Sequence, residues 1–432
     1  MRTANKILLL ALIFVMILTL ISCSAATGDY SMGDSYVSGA PSHSEDSSSS
    51  EEGEDANEKP DETVTLPAGM ITAGAWMDND NYQMWLDLFA QKDEEHEQDG
   101  KFYGYTIGDY DFGFNSLKRV SVSVTCGGEA VAGAKVIAYD TDGNTLFTAI
   151  SNAQGKAYVF TDALEGTVEV SSGDGVASAP FSAQEREINV ELDTKAEKLN
   201  VIEIMFIVDV TGSMGDEISF LKTELADVIK KIAENNEGAV IRLALLFYRD
   251  NDDQVPFDYY DFVNVTDTEG GLSAQLDALK KQSATGGGDY PEAVDEALEM
   301  AVNKQWSTGN ATKLIFHVLD APIHTGTKYE KRFGNAVYLA AQKGIRINPI
   351  ICSGASDFTE YTMREAAIHT GGTFIFVTDD SGIGNSHHDP DLPNVTVELL
   401  NSMIVRLVNG YHSGEFEDPV YWKDDPNLGL QQ

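Results

Sequence analysis

The sequence predicts an α/β protein, with a doubly wound, mostly parallel sheet preceded by a small antiparallel β-sandwich. From residue 199 onward, short and almost wholly apolar segments alternate with longer amphipathic ones, as expected for buried parallel strands and covering helices. Residues 117–195 instead alternate apolar and polar side chains, for example at Val120, Val122 and Val124, between glycine-containing turns. The length of 432 residues fits two or three domains.

The α/β region contains five expected strands and one expected edge strand. The strands are predicted at 202–208, 240–247, 313–319, 345–351 and 373–377, with 258–265 as an antiparallel edge strand. Helical periodicity is found between and after them, at 216–233, 272–282, 291–302, 329–343, 360–369 and 395–409. Strands this apolar are buried on both faces, so we expect helices on both sides of the sheet.

The N-terminus is typical of an export signal. Arg2 and Lys6 precede an apolar run over 7–21, which is short of the roughly 20 residues that a membrane span needs. The run ends in Leu-Ile-Ser-Cys and resembles a bacterial lipobox, which implies a signal peptide over 1–22 and lipidation of Cys23. An ordinary secretory peptide or an uncleaved anchor are the alternatives. We therefore expect a secreted, lipid-anchored protein at the cell membrane, on the cell surface or the periplasmic face.

The composition of the remaining segments indicates what structure each of them has. Residues 23–66 are rich in Ser, Glu and Asp and are expected to form a disordered acidic tether. Residues 67–116 form an aromatic and acidic connecting segment that should pack on the next domain, and 413–432 read as a polar tail. Cys126 and Cys352 are too few and too far apart for a disulfide framework, so we expect two buried free thiols.

Oxygen-bearing side chains stand at the ends of two predicted strands and at the start of one glycine-rich loop. Asp209, Thr211 and Ser213 come at the end of the first apolar strand, in the sequence Asp-x-Thr-x-Ser. Thr285 opens the loop Thr-Gly-Gly-Gly-Asp, and Asp320 ends another apolar strand. Carboxylates and hydroxyls are the ligands that Mg²⁺ and Mn²⁺ prefer, and open α/β sheets bind ligands at the C-terminal ends of their strands.

These elements resemble the von Willebrand factor type A domain, a Rossmann-like fold, and its metal-ion-dependent adhesion site. The resemblance covers 199–412. Three segments, TGGGDYPEAV, FYRDNDD and VLDAPIH, are most similar to the hemicentin-like subgroup of the family. The family more often has Ser where this chain has Thr211, so the hydroxyl is retained. Residues 117–195, with GAKVIAYDTDGNTLFTAISNAQGKAYVF, resemble carboxypeptidase regulatory-like domains, which implies a non-catalytic stalk.

The resemblance implies a divalent cation, Mg²⁺ or alternatively Mn²⁺ or Ca²⁺, held by the five oxygen-bearing residues of these loops. One coordination position would stay open for a carboxylate of a protein or peptide ligand. Asp250 and Asp289 are candidates for hydrogen bonds to the metal-binding side chains, and His324 is a candidate for lining the site.

The combination predicts a membrane-anchored binding or adhesion protein. A scaffold or chaperone-like component of an envelope complex is the alternative, since it would use the same site. The net charge of −40 excludes a nucleic-acid-binding surface, which needs a basic footprint. We expect neither an enzyme nor a small-molecule substrate, because the sequence shows no nucleophile–base constellation and the Thr285 loop lacks the lysine of a phosphate-binding loop.

Overall fold

The computed structural model describes most of the chain that follows the predicted tether. The described ranges are 70–93, 98–108, 110–194, 198–267, 270–288, 290–381 and 387–428. The predicted signal peptide, Cys23, the tether and Asp289 lie outside these ranges. Within them, no helix combines the length and the apolar character needed to cross a bilayer.

The main sheet has eight strands and is mostly parallel at its centre. In spatial order it consists of β12 (Phe257–Asn264), β11 (Val240–Tyr248), β10 (Val201–Asp209), β13 (Thr312–Leu319), β14 (Ile345–Ile351), β15 (Phe374–Val377), β1 (Thr72–Trp76) and β16 (Glu398–Leu399). Strands β11, β10, β13, β14 and β15 run parallel, while β12 pairs antiparallel with β11 at one edge. The predicted α/β fold and its antiparallel edge strand are confirmed.

Helices cover both faces of this sheet. They are α3 (Gly215–Asn235), α4 (Leu272–Lys281), α5 (Val294–Val302), α6 (Thr327–Lys343), α7 (Asp357–Thr370) and α8 (Leu400–Ser413). Along β10, Ile204, Phe206 and Val208 belong to the core under α3 and α8, whereas Met205 and Ile207 belong to the core under α5, α6 and α7. This alternation follows from the two-residue period of a strand, and it explains why nearly every β10 side chain is apolar.

Strand β1 comes from the segment that the sequence assigned to a connection. Ala73 pairs with Val377 and Trp76 with Phe374 in an antiparallel register, and Thr72 also pairs with Leu399. The chain therefore contributes to the main sheet, leaves it to build the β-sandwich, and returns. The interpretation of 67–116 as a connection did not anticipate this strand.

The β-sandwich consists of two four-stranded sheets. One contains β3 (Glu129–Ala130), β2 (Arg119–Cys126), β6 (Lys156–Phe160) and β9 (Glu187–Glu191); the other contains β5 (Thr145–Ile150), β4 (Lys135–Tyr139), β7 (Glu165–Ser172) and β8 (Gly175–Ser182). The predicted inward valines of β2 are fully buried. One detail differs from the expected antiparallel arrangement, because β9 pairs parallel with β2.

Two smaller expectations need correction. Both remaining cysteines are free, as predicted, but Cys126 is partly exposed and only Cys352 is buried. The C-terminal tail is not simply polar, because Trp422 and Leu428 pack against Leu399 in a small apolar cluster of their own. The apolar residues of this segment are few and irregularly spaced and produce no periodic pattern, so the burial of Trp422 and Leu428 depends on their contact with Leu399.

The aromatic segment before the sandwich packs against α7. Two short helices, α1 (Tyr82–Asp87) and α2 (Tyr103–Thr106), lie in it, and its Trp85 and Phe102 are fully buried. Beside them lies the buried guanidinium of Arg364, whose Nε donates to Asp78 Oδ2 at 3.0 Å and whose Nη1 donates to Glu360 Oε1 at 2.8 Å. This ion pair joins the end of β1 to α7.

Replacing Arg364 by Met should destabilise the whole folded chain. The substitution keeps the volume of the stem but leaves the Asp78 carboxylate buried without its partner, which costs about 3–5 kcal/mol in comparable cases. Urea denaturation at neutral pH measures the loss. The matched control is Lys230→Met, which removes the exposed Lys230–Glu234 pair and should change the free energy of unfolding by less than about 1 kcal/mol. Equal losses in the two variants would show that the Arg364 pair does not join the segments.

Candidate metal centre

Two predicted site residues leave the main sheet side by side. Strand β10 ends at Asp209, and Asp320 directly follows β13. The two strands are parallel neighbours, with Val208 aligned to Val318. Because the register is fixed by backbone hydrogen bonds, both carboxylates emerge at the same C-terminal edge of the sheet, as the sequence predicted from strand ends alone.

The Asp209 carboxylate is held through one of its oxygens. Its side chain is fully buried, and Oδ1 accepts hydrogen bonds from the Thr211 backbone N–H at 2.8 Å and from the Thr211 hydroxyl at 2.7 Å. Oδ2 is buried and has no hydrogen-bond partner among the described residues. A carboxylate that is held in one orientation and has one oxygen without a hydrogen bond is suited to bind a cation.

The loop of Thr285 is joined to the loop of Asp209. The Thr285 N–H donates to the Val210 carbonyl at 3.0 Å, and the Gly212 N–H donates to the Gly286 carbonyl at 3.2 Å. Gly287 has a φ of 75°, and a Cβ atom there would lie 2.6 Å from Glu292 Oε1 and 3.1 Å from the Thr211 Cβ. The glycine is therefore needed both for backbone conformation and for space at the closest approach of the loops.

The site is buried on one side and open on the other. Asp209, Thr211 and Asp320 are buried, whereas Ser213 and Thr285 are exposed. A hydrogen bond from the Ser213 hydroxyl lowers the pKa of Asp320, but burial outweighs it and raises that pKa overall. The five predicted residues thus converge on one edge, with two hydroxyls at the solvent side.

Two glutamates that the sequence analysis did not select also face this edge. Glu292 is buried with Oε2 unpartnered, and its backbone N–H donates to the Pro322 carbonyl at 3.0 Å, close behind Asp320. Glu217, in the first turn of α3, is buried with Oε2 unpartnered as well. Glu292 directly follows the proline at the end of the glycine-rich loop. This position in the sequence was the one signal that could have identified it as a residue of the site.

Burial and, after it, repulsion between neighbouring carboxylates raise the pKa values of these groups. Burial, followed by the charge of Asp320, raises the pKa of Asp209 to about 7. Burial, followed by Asp209 and other nearby carboxylates, raises the pKa of Glu292 to about 9, and burial with Asp320 raises that of Glu217 to about 7. In the described part of the chain, no Lys, Arg or His side chain forms an ion pair with these carboxylates. Unpaired carboxylate oxygens beside hydroxyls fit a divalent cation that prefers oxygen ligands.

The residues predicted to support the site have more distant roles. Asp250 is buried, and its Oδ1 lies 2.8 Å from Nε2 of His324, so these two residues contact each other and connect the loops after β11 and β13. Neither makes a direct hydrogen bond to Asp209 or Asp320 within the described residues. Asp253, which was not predicted, accepts from the Gly287 N–H at 3.0 Å and thereby holds the glycine-rich loop.

A second acidic cluster, away from the predicted motifs, is formed by Asp357, Glu360 and His388. Their ligand atoms lie within 4.8 Å of one another. Lys101 already occupies this cluster, with Nζ 2.6 Å from Glu360 Oε2 and 3.1 Å from Asp357 Oδ1. Because the lysine supplies the compensating charge, this cluster is a weaker candidate for a cation than the edge at Asp209.

Fold and site together define a known class of module. Residues 203–379 match the family model of the von Willebrand factor A domain, so the chain contains such a domain. Among curated proteins, the alpha-protein kinase vwkA of Dictyostelium discoideum is 27% identical over 150 residues. That match covers 34% of this chain and 22% of the kinase, so this chain spans only a small part of the relative's length.

Parts of this chain are similar to parts of solved structures. The pilus adhesin SpaC from Lactobacillus rhamnosus GG matches in two forms, at 11% and 10% identity with TM-scores of 0.32 and 0.34, over 48% and 65% of this chain and 29% and 34% of the adhesin. The conserved hypothetical protein BatB from Bacteroides thetaiotaomicron matches at 14% identity with a TM-score of 0.30, over 43% of this chain and 91% of BatB. Similarities this low carry no argument about function.

The metal-free protein should lose stability as the pH rises. In the folded state, the pKa of Asp209 is about 7 and that of Glu292 is about 9. In the unfolded chain, both groups have the ordinary carboxyl pKa of about 4. The folded state therefore binds more protons between these values, and the free energy of unfolding falls across this interval. Thermal unfolding in EDTA over this pH range measures the trend.

The isosteric double variant Asp209→Asn, Glu292→Gln is the control for this trend, because overall negative charge also rises with pH. It removes both titrating groups and should flatten the pH dependence relative to the unmodified chain. A slope unchanged by the double substitution would show that these carboxylates are not the source.

Proposed function

We propose that the protein is an extracytoplasmic binding or adhesion protein that recognises a carboxylate of a protein or peptide ligand through a divalent cation. The observation that carries the proposal is the group of buried, unpaired carboxylates at the strand ends, next to exposed hydroxyls. In such a site the buried carboxylates would stabilise a cation on its protein side, and its solvent side would stay accessible to a ligand. The presence of a von Willebrand factor A domain supports a role in protein interaction.

Asp209, Thr211, Ser213, Thr285 and Asp320 would hold the cation. Mg²⁺ is the first choice, with Mn²⁺ and Ca²⁺ as alternatives, because all five side chains offer hard oxygen ligands. The exposed position of Ser213 and Thr285 favours a ligand that approaches from solvent. When bound, the cation supplies the positive charge that offsets the carboxylates of the site.

A cation also resolves an electrostatic conflict with the partner. At a net charge of −40, this protein repels acidic ligands, and the carboxylates of the site add to that repulsion wherever they are ionised. A divalent ion reverses the local sign and lets a carboxylate complete its coordination. We propose binding rather than catalysis, because Asp209 and Asp320 would be committed to the ion and would not be free to act as a general base.

Calorimetric titration of Mg²⁺ and Mn²⁺ into the whole chain tests the site. We expect saturable one-site binding that becomes tighter as pH rises, since the carboxylates must lose protons to bind the metal. Asp209→Ala should abolish it, and Asp277→Ala, which removes an exposed carboxylate on α4, should leave it unchanged. Binding that survives Asp209→Ala would place the metal elsewhere, for example at Asp357, Glu360 and His388.

The same variants test recognition of the ligand. A peptide array in which each acidic peptide is matched by its Asn or Gln counterpart is probed in Mg²⁺ and in EDTA. We expect binding to acidic members only, in Mg²⁺ only, and loss of that binding in Asp209→Ala. Metal binding with equal capture of acids and amides would rule out carboxylate recognition while leaving the metal site intact.

We further propose that lipidated Cys23 anchors the protein to the membrane and that the acidic segment over 23–66 spaces the folded part from the lipid surface. The lipobox-like sequence before Cys23 supports this, and charge repulsion would keep the segment extended. Expression in a bacterial host with a radiolabelled fatty acid is expected to label the unmodified chain and to leave Cys23→Ser unlabelled and released from the membrane fraction. Equal labelling of both would refute the anchor.

A further inference from the structure

A cavity of about 330 Å³ lies between the aromatic segment and α7, and it shares no residue with the candidate metal centre. Polar side chains, among them Asn115 and Ser116, line it together with six aromatic rings, which are those of Phe89, Tyr105, Tyr110, Phe112, Phe114 and Tyr361. Its volume is at the lower end of the range for small-molecule pockets, which is roughly 300–1,000 Å³. The cavity is therefore large enough for a small organic group.

The rings form a connected assembly rather than isolated side chains. Tyr105 stacks on Tyr361 with centroids 4.8 Å apart, and Phe112 stacks on Phe114 at 5.0 Å with nearly parallel planes. Tyr110 stacks at 4.9 Å on Phe358 of α7. Aromatic faces carry negative electrostatic potential and attract cations that lie over them.

A buried carboxylate adds negative charge to the same cavity. Glu365 of α7 lines it and is 2% exposed. Its Oε1 accepts a hydrogen bond from the Ser116 hydroxyl at 2.8 Å, while its Oε2 is buried and has no hydrogen-bond partner among the described residues. A nearly fully buried carboxylate with one oxygen that lacks a hydrogen bond would be stabilised by a positive charge close to it.

The protein supplies little compensation for this charge. Within 4.0 Å of the Glu365 carboxylate, the described residues place one basic side chain, His369, with Nδ1 3.3 Å from Oε2. That nitrogen also lies 2.8 Å from the Glu365 backbone carbonyl, to which it can donate its proton. Among the described residues that line the cavity, the other charged side chain is Asp111, whose Oδ2 lies 2.9 Å from Nζ of Lys331. Glu365 is therefore the charged side chain of this lining that has no Lys or Arg partner among the described residues.

We propose that this cavity binds a small organic cation, of the quaternary ammonium or alkylamine class. The aromatic rings would contact the apolar groups around the charge, and Glu365 would provide the opposite charge. A divalent metal ion fits less well, because it needs several charged or carbonyl oxygen ligands, whereas Asp111 is already paired with Lys331 and Glu365 is the other carboxylate of the described lining. An anion would be repelled by Glu365.

Choline is the probe, and its neutral isostere 3,3-dimethylbutan-1-ol is the matched control. Both are titrated calorimetrically into the whole chain in EDTA, so that the metal centre does not contribute. We expect saturable binding of choline and at least tenfold weaker binding of the isostere. Choline binding should persist in Asp209→Ala, which separates this proposal from the proposed metal-dependent function. Equal binding of the two compounds, or no saturable binding of choline, would overturn it.

Two variants assign the binding to the named residues. Glu365→Gln keeps the volume and an acceptor for Ser116 but removes the charge, and it should weaken choline binding about tenfold. Tyr110→Leu removes one ring at a position that is 36% exposed and should weaken it about two- to thirtyfold, the range expected for a cation–π contact. Glu129→Gln, an exposed position on the sandwich, should have no effect.

Near-UV circular dichroism shows whether each variant retains its fold. If Glu365→Gln is unfolded, Tyr110→Leu and the isostere comparison still decide the question. Choline affinity unchanged in folded Tyr110→Leu and unchanged in folded Glu365→Gln would show that binding, if any, occurs elsewhere.

Discussion

Repulsion between buried carboxylates at one edge of the main sheet is the constraint on which the candidate metal centre depends. Asp209 and Asp320 cannot move apart, because the parallel register of β10 and β13 holds their backbones together. Packing of α3 and of the glycine-rich loop adds Glu217 and Glu292 to the same edge. Hydrogen bonds from Thr211 and the charge of Arg249 lower the pKa of Asp209 but do not outweigh its burial, so a proton or a cation would offset the remaining charge. The raised pKa values of Asp209 and Glu292 follow from their burial and from this crowding of carboxylates.

The α/β domain is also tied to the segment that precedes the sandwich. Strand β1 pairs with β15 and β16, and the buried Arg364–Asp78 ion pair fastens its end to α7. A fragment that begins at residue 199 would lack β1 and leave the backbone edges of β15 and β16 unpaired, which favours aggregation. The same aromatic segment closes the cavity at Glu365, so one stretch of chain both completes the sheet and shapes a second candidate site.

The sequence could indicate the candidate metal centre for a local reason. The motif Asp-x-Thr-x-Ser is confined to a single loop, and the convergence of Asp320 with it follows from the rule that parallel strands end at one edge. Glu217 and Glu292 were missed because glutamates at the starts of helices are ordinary surface residues unless packing buries them. Strand β1 was missed because its partner strand lies about 300 residues further along the chain, and short apolar segments show no preference for a particular partner.

Local patterns in the chain were sufficient for the α/β class, the sandwich, the strand and helix positions and five candidate ligands, because periodicity and strand-end motifs depend on neighbouring residues. The folded chain alone decides which carboxylates lack partners, how Tyr105, Tyr361 and Glu365 come to line one cavity, and how β1 joins the sheet. These features arise from contacts between segments far apart in the sequence. Burial and charge compensation are properties of such contacts, and no single segment contains them.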